Sequence, residues 1–138
     1  MTMRAASKLG NGLGWAMSGL VIAFMLLDAG MKLVPLDIVL KTTADLGYPP
    51  SPELARGLGI VALASTALYG FPRTAVLGAI LLTAYMGGAV ASHLRVGNPL
   101  LTHMLFGVYL ALLAWGGLYL RDARIRALLP LRTTHTGA

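Results

Sequence analysis

The sequence predicts an all-α fold, a bundle of four transmembrane helices with a short amphipathic segment between the first two helices. The first observation is composition: 57% of the 138 residues are hydrophobic and 12% are charged, whereas soluble domains average about 25% charged residues. The second is a set of four apolar segments, each close to the roughly 20 residues that cross a bilayer. The third is that prolines separate these segments, as expected where helices begin and end. We therefore expect residues 1–138 to form a single integral membrane domain.

Each of the four apolar segments is interpreted as one membrane-spanning helix. Only helices cross the hydrocarbon core singly, because lipid offers no hydrogen-bonding partner to unpaired backbone groups. Pro52 precedes the second segment, Pro72 separates the second from the third, and Pro99 precedes the fourth. The predicted spans are residues 13–34, 54–71, 74–94 and 100–120, followed by a basic C-terminal tail over 121–138.

The connection between the first two spans has the sequence LDIVLKTTADLG, residues 36–47. Apolar residues such as Val39 and Leu40 alternate there with the charged residues Asp37 and Lys41, at near-helical spacing. This pattern favours a short amphipathic helix that lies in the membrane interface. An ordered loop is the alternative.

The basic residues predict how the chain is oriented in the membrane. If four helices alternate in direction, one side carries seven Lys and Arg residues and the other side carries four. Because basic loops stay in the cytoplasm, the sequence predicts a multi-pass protein of the inner (cytoplasmic) membrane with cytoplasmic N- and C-termini. The seven are Arg4, Lys8, Arg73, Arg121, Arg124, Arg126 and Arg132, and the four are Lys32, Lys41, Arg56 and Arg95.

Charge and cysteine content exclude several classes of function. The net charge is +6, but most of the basic residues are dispersed along the chain, so nucleic acid is not an expected partner. A basic tail behind apolar helices is more typical of contact with anionic lipid headgroups, and the lipid bilayer is the expected partner. The chain has no cysteine, which excludes disulfides, thiolate metal ligands and covalent haem attachment.

Small residues recur every four positions in the second and third spans. Such stripes let neighbouring helix backbones approach closely in lipid, so they are predicted to be helix-packing faces. Exposed faces of this kind would also suit a homo-oligomer. The stripes are Ala62, Thr66 and Gly70 in the second span, and Ala84, Gly88 and Ser92 in the third.

Titratable residues are expected to gather at one level near the extracytoplasmic end of the bundle. Asp28 and Lys32 lie one turn apart in the first span and can form an ion pair. His93 and Arg95 close the third span, and His103 lies about one turn into the fourth. Ionisable groups at this depth are costly unless they are paired or solvated, so they are candidates for function.

This polar group suits several kinds of chemistry. A histidine beside Asp28 could act in general acid–base catalysis, and a quinone ring would need a hydrogen-bond donor with apolar walls. Haem or a metal ion is less favoured, because two histidines, one aspartate and no cysteine form a small ligand set. In the structural alternative, the long basic side chains only extend to the headgroups. The candidate site residues are His93, His103 and Asp28 as catalytic groups, Lys32, Arg95, Tyr85 and Tyr109 as substrate-binding groups, and no metal ligands.

Four stretches of the sequence resemble one known family. They are LLDAGMKL (26–33), LGYPP (46–50), LYGFPRTAVLGAILLTAYMGGAVASHLRVGNP (68–99) and WGGLYLRDARIRALLP (115–130). Together they resemble the DoxX-like family of small four-helix membrane proteins over nearly the whole chain. The resemblance implies a connection with oxidoreductase systems, because one relative is a membrane subunit of a thiosulfate:quinone oxidoreductase.

The sequence departs from that family at two positions of the second span. Relatives often carry a glutamate there and a cysteine one turn later, where this chain has Ala62 and Ser65. Thiol chemistry and an intramembrane carboxylate at these positions are therefore not expected here.

Three functions follow as expectations. The first is a component of a membrane redox system that docks a quinone or an oxidoreductase subunit at the extracytoplasmic polar group. The second is a non-catalytic membrane module that assembles other proteins through its small-residue faces. The third is a stand-alone enzyme that acts on a lipophilic small molecule. The sequence identifies neither substrate nor cofactor, and it leaves the oligomeric state open.

Overall fold

Helices make up most of the protein in its structure, a computed structural model that describes residues 3–34, 36–99, 101–102 and 105–132, with side chains from residue 8 onward. No strand occurs within these ranges, so the predicted all-α class is confirmed. The helices are α1 (Met3–Leu33), α2 (Asp37–Asp45), α3 (Pro52–Gly70), α4 (Ala75–Arg95), α5 (Phe106–Arg121) and α6 (Ala123–Leu128).

Local signals account for several of the helix ends. Ser51 caps α3 by accepting a hydrogen bond from the backbone N–H of Leu54, and Pro52 occupies the first turn, where its missing N–H costs nothing. Gly47 after α2 and Gly97 after α4 have positive φ angles of 87° and 73°, a conformation that favours glycine. The α2 helix confirms that this connection is helical and not an ordered loop. Its location in the membrane interface stays a prediction.

Three parts of the chain differ from the predicted boundaries. Helix α1 begins at Met3, ten residues before the predicted start of the first span. Helix α5 begins at Phe106, six residues after the predicted start of the fourth span, while Leu101 and Thr102 within that span are π-helical. The predicted basic tail contains a further helix, α6, whose Ile125 is buried. Apolar periodicity does not reveal a helix of six residues, because such a segment covers less than two turns.

The four long helices pack so that neighbours run in opposite directions. Helices α1 and α4 each pack against α3 and α5. The end of α1 meets the start of α3 at Gly59, which approaches the Ala29 carbonyl, and the start of α1 meets the end of α5 at Gly117, which approaches the Gly14 carbonyl. We call the end that holds the C-termini of α1 and α4 the α2 end, and the opposite end the α6 end.

Glycines and other small residues set the helix contacts, but only one of the two predicted stripes packs inside the chain. In α3, Ala62 and Thr66 are buried, as predicted. In α4, Ser92 is buried but Ala84 and Gly88 are exposed. Packing of these two residues against another helix therefore stays a prediction. The close approach of α4 to the end of α3 instead uses Gly78, where an added Cβ would lie 2.1 Å from the backbone nitrogen of Tyr69.

Two of the described helices are long and apolar enough to cross a membrane. They are α1 over Lys8–Leu33 and α4, while α5 is a shorter apolar helix. Only 28% and 33% of the residues in their most apolar windows are buried, whereas the core helix of a soluble protein would be mostly buried. That the chain crosses the membrane four times stays a prediction.

Candidate functional site

An ion pair near the end of α1 begins the candidate site. Lys32 Nζ donates to Asp28 Oδ2 over 2.5 Å, as the spacing of four residues predicted. The Lys32 side chain is 18% exposed and the Asp28 side chain 31%. The pair is therefore shielded on most sides yet still reachable from outside the protein.

Tyr85 contacts this pair from α4, the helix that lies across from α1 between α3 and α5. Its hydroxyl donates a long hydrogen bond of 3.5 Å to Asp28 Oδ2. Lys32 Nζ lies 5.4 Å from the centroid of the Tyr85 ring, within the range of a cation–π contact. Asp28, Lys32 and Tyr85 form what we call the polar triad, which combines two hydrogen-bond donors with one carboxyl group.

Aromatic residues lie next to the polar triad. Phe24 is one turn before Asp28 on α1, and its ring packs edge-on against Phe106 of α5 with centroids 5.0 Å apart. Phe24 and Tyr85 both pack against the buried core. An apolar ring that entered from the α2 end would therefore meet aromatic side chains beside the charged pair.

His93 and Arg95 lie at the same end of the protein, on the last turn of α4. His93 Nδ1 is 2.7 Å from Asn98 Nδ2. Arg95 Nη2 donates to the carbonyl oxygen of Leu46 over 2.6 Å, and its guanidinium lies over the Tyr48 ring at 5.6 Å. These contacts join α4 to the α2–α3 connection, and they differ from those of the polar triad.

Tyr48 fixes the connection from α2 to α3 against α4, although the sequence does not mark it as a site residue. The Tyr48 hydroxyl is 2.8 Å from Ser92 Oγ, two turns beyond Tyr85 on α4. Ser92 is 8% exposed. This contact cannot be predicted from the sequence, because a tyrosine between glycine and proline does not indicate which helix it contacts.

The remaining predicted site residues stand as follows. Tyr109 is 43% exposed on α5. His103 lies outside the described residues, so its predicted role stays a prediction. In the described part of the chain, no group of three His, Cys, Asp or Glu side chains could hold a metal ion.

A second network of polar side chains lies at the α6 end, and the sequence does not predict it either. Tyr69 Oη donates to the Ala114 carbonyl over 2.6 Å and lies 2.9 Å from Ser18 Oγ. Ser18 Oγ in turn accepts from Arg121 Nε over 3.1 Å. Since the tyrosine proton is used on Ala114, the Ser18 hydroxyl donates to Tyr69. Arg121, predicted to begin a basic tail, instead turns inward and completes this chain of hydrogen bonds.

A family model agrees with the resemblance seen in the sequence. The model described as the DoxX-like family matches residues 16–117, which is more than half of the chain and includes the whole polar triad. Neither the curated proteins nor the solved structures contain a significant match to this chain.

Proposed function

The chain belongs to the DoxX-like family of membrane proteins, and from that premise we propose that it crosses the inner membrane four times with both termini in the cytoplasm. The antiparallel packing of α1, α3, α4 and α5 supports this topology. The charge distribution supports the orientation, because the α6 end carries seven basic residues and one acidic residue, whereas the α2 end carries four of each. Basic segments are retained in the cytoplasm.

The absence of native cysteine makes this topology directly testable. Lys41→Cys on α2 and Arg73→Cys in the α3–α4 turn each introduce one thiol at an exposed position. We expect a membrane-impermeant maleimide to label Lys41→Cys in intact cells and Arg73→Cys only after lysis. Labelling of both variants in intact cells, or the reverse pattern, would contradict the topology.

The function that the polar triad supports best is docking of a quinone ring for a membrane oxidoreductase subunit. The observation that carries this proposal is the contact of Tyr85 on α4 with Asp28 and Lys32 on α1. Quinone carbonyl oxygens accept hydrogen bonds. Lys32 Nζ has two N–H groups beyond the one that it donates to Asp28, and the Tyr85 hydroxyl would donate to the ring by leaving its long 3.5 Å bond to Asp28. Phe24 supplies an aromatic wall, of the kind that lines sites for apolar ligands.

The carboxyl group adds a second property to this site. Reduction of a quinone to a quinol consumes two electrons and two protons. Lys32 and Tyr85 hold the protons that the ring would take up, and Asp28, which accepts from both and is 31% exposed, would pass protons from water to replace them. Electrons would come from the partner subunit, because the chain has no cysteine to act as a redox group. The protein would thus bind, orient and protonate the ring.

Quinone titration of the purified protein tests the proposal. We expect saturable binding of a short-chain quinone in mild detergent, measured by calorimetry. Lys32→Met should raise the Kd at least about tenfold, because a hydrogen bond from a charged donor contributes about 1.5–3 kcal/mol. Tyr85→Phe should raise it about two- to tenfold, as expected for a neutral donor.

A variant of the same chemical kind serves as the control. Lys41→Met alters an exposed lysine on α2, outside the triad, and it should bind quinone like the wild type. The proposal fails if the wild type shows no saturable binding, or if Lys41→Met weakens binding as much as Lys32→Met.

A specific feature favours the assembly module as the second candidate function. The exposed face of α4 carries Gly87 and Gly88, and a Cβ added at either would meet no atom within 4 Å. Another transmembrane helix could approach this face closely, as small residues allow. A folded protein that binds no quinone would favour this candidate over the first.

A further inference from the structure

A cavity of about 180 Å³ lies at the α6 end, where the first half of α1, the α3–α4 turn and the α5–α6 junction meet. This volume corresponds to roughly six water molecules at about 30 Å³ each, enough for a phosphate group. Its wall is apolar on one side and charged on the other. The lining residues are Trp15, Pro72, Ala75, Leu118, Arg121, Asp122, Ala123 and Arg124.

The Arg121 guanidinium is held rigidly in the wall of this cavity. Its carbon Cζ lies 4.1 Å from the centroid of the Trp15 ring, Nε donates to Ser18 Oγ over 3.1 Å, and Nη2 donates to the Tyr69 carbonyl over 3.4 Å. Within the described residues these bonds use Nε and Nη2, which leaves Nη1 for an external acceptor. A guanidinium oriented in this way loses little freedom when it binds a phosphate oxygen.

The other two charges of the wall cancel each other. Arg124 Nε and Nη2 each lie 3.2 Å from a carboxylate oxygen of Asp122, and Asp122 Oδ1 also accepts from the Arg124 backbone N–H over 3.0 Å. The hydrogen bond from the Arg124 side chain holds the pKa of Asp122 below its usual value, so the carboxyl group is ionised at neutral pH. The wall therefore carries a net charge of about one positive unit, supplied by Arg121.

We propose that this cavity binds the phosphodiester group of an anionic phospholipid, with Arg121 as its charged partner. A phosphodiester carries one negative charge, which matches the net charge of the wall. The apolar side of the cavity, including Leu118 and Pro72, would contact the glycerol and the first acyl carbons. Trp15 is 39% exposed, and tryptophan is enriched at the level of the headgroups.

The position of the cavity favours a lipid headgroup over a free phosphate ion as the ligand. The α6 end carries the whole excess of basic residues, and anionic lipids are attracted to basic segments beside transmembrane helices. A free phosphate ion would leave the apolar side of the cavity without a partner. This site is at the opposite end from the polar triad, so it does not depend on quinone docking.

Tryptophan quenching tests the site, because the chain has only two tryptophans. In a Trp115→Phe background, Trp15 is the sole reporter, and the protein is reconstituted in phosphatidylcholine vesicles that contain phosphatidylglycerol. At equal mole fraction, brominated phosphatidylglycerol should occupy the site about fivefold more strongly than brominated phosphatidylcholine, as expected for one basic contact. The reverse reporter, Trp115 in a Trp15→Phe background, should show almost no preference.

Charge variants distinguish binding at this cavity from nonspecific attraction of anionic lipid to a basic surface. Arg121→Gln should abolish the preference, and Asp122→Asn should raise it about two- to fivefold, because it removes the negative charge of the wall. A gain cannot arise from unfolding, so Asp122→Asn keeps the test valid even if Arg121→Gln destabilises the protein. Arg126→Gln removes the same charge from an exposed residue outside the lining and should change the preference less than twofold.

Three results would overturn the proposal. The first is an equal loss in Arg126→Gln and Arg121→Gln, which would indicate attraction to the whole basic end. The second is no gain in Asp122→Asn. The third is loss of the preference in inorganic phosphate but not in chloride of matched ionic strength, which would identify a site for free phosphate.

Discussion

Gly78→Ala is expected to destabilise the protein by at least about 3 kcal/mol, the upper part of the range for inserting atoms into a packed contact. The added Cβ would lie 2.1 Å from the backbone nitrogen and 2.4 Å from the Cα atom of Tyr69. Backbone atoms cannot rotate away as a flexible side chain can. The α3–α4 pair would therefore have to separate, and the midpoint of thermal unfolding in mild detergent should fall sharply.

The same helix offers a matched control for this substitution. Gly87→Ala adds the same methyl group at a position where no atom lies within 4 Å. It should leave stability unchanged or raise it by up to about 1 kcal/mol, because alanine favours the helix more than glycine does. Equal unfolding midpoints for the two variants would contradict the packing at Gly78.

Tyr69→Phe should cost about 1–3 kcal/mol of the free energy of unfolding, the penalty for leaving buried polar groups without partners. Tyr69 is fully buried, and its hydroxyl links Ser18 on α1 with the Ala114 carbonyl on α5. Phenylalanine keeps the ring but removes both bonds, so the Ser18 hydroxyl loses its acceptor. Chemical denaturation in detergent, followed by circular dichroism, measures this loss.

Tyr109→Phe provides the comparison, because this tyrosine is 43% exposed. Removal of an exposed hydroxyl should change stability by no more than about 0.5 kcal/mol. If Tyr69→Phe proves as mild as Tyr109→Phe, the buried network contributes little to the stability of the fold.

Local geometry explains which parts of the candidate site were predictable. The Asp28–Lys32 pair followed from the sequence alone, because residues four apart always face each other on a helix. The sequence indicates Tyr85 only as a candidate substrate-binding residue. Its contact with Asp28 depends on α1 and α4 lying opposite each other between α3 and α5, and no single helix contains that information.

Arg121 illustrates the opposite case, a residue whose sequence context misled. It is followed closely by Arg124 and Arg126, so the sequence places it in a basic tail that contacts lipid headgroups. In the structure it ends α5 and donates to Ser18, which is 103 positions earlier in the chain. A basic residue at a helix end looks the same in sequence whether it faces solvent or a neighbouring helix.

The amino-acid sequence by itself determined the helical class, the positions of α3 and α4 to within two residues, the amphipathic α2 and the family of this protein. These properties depend on composition, proline positions and residue spacing, all of which are local. The tertiary structure alone decided that Gly78 rather than Gly88 packs within the chain, that Tyr85 meets Asp28, and that Arg121 turns inward. Each depends on how one helix is rotated against another, and that rotation results from the packing of all the helices together.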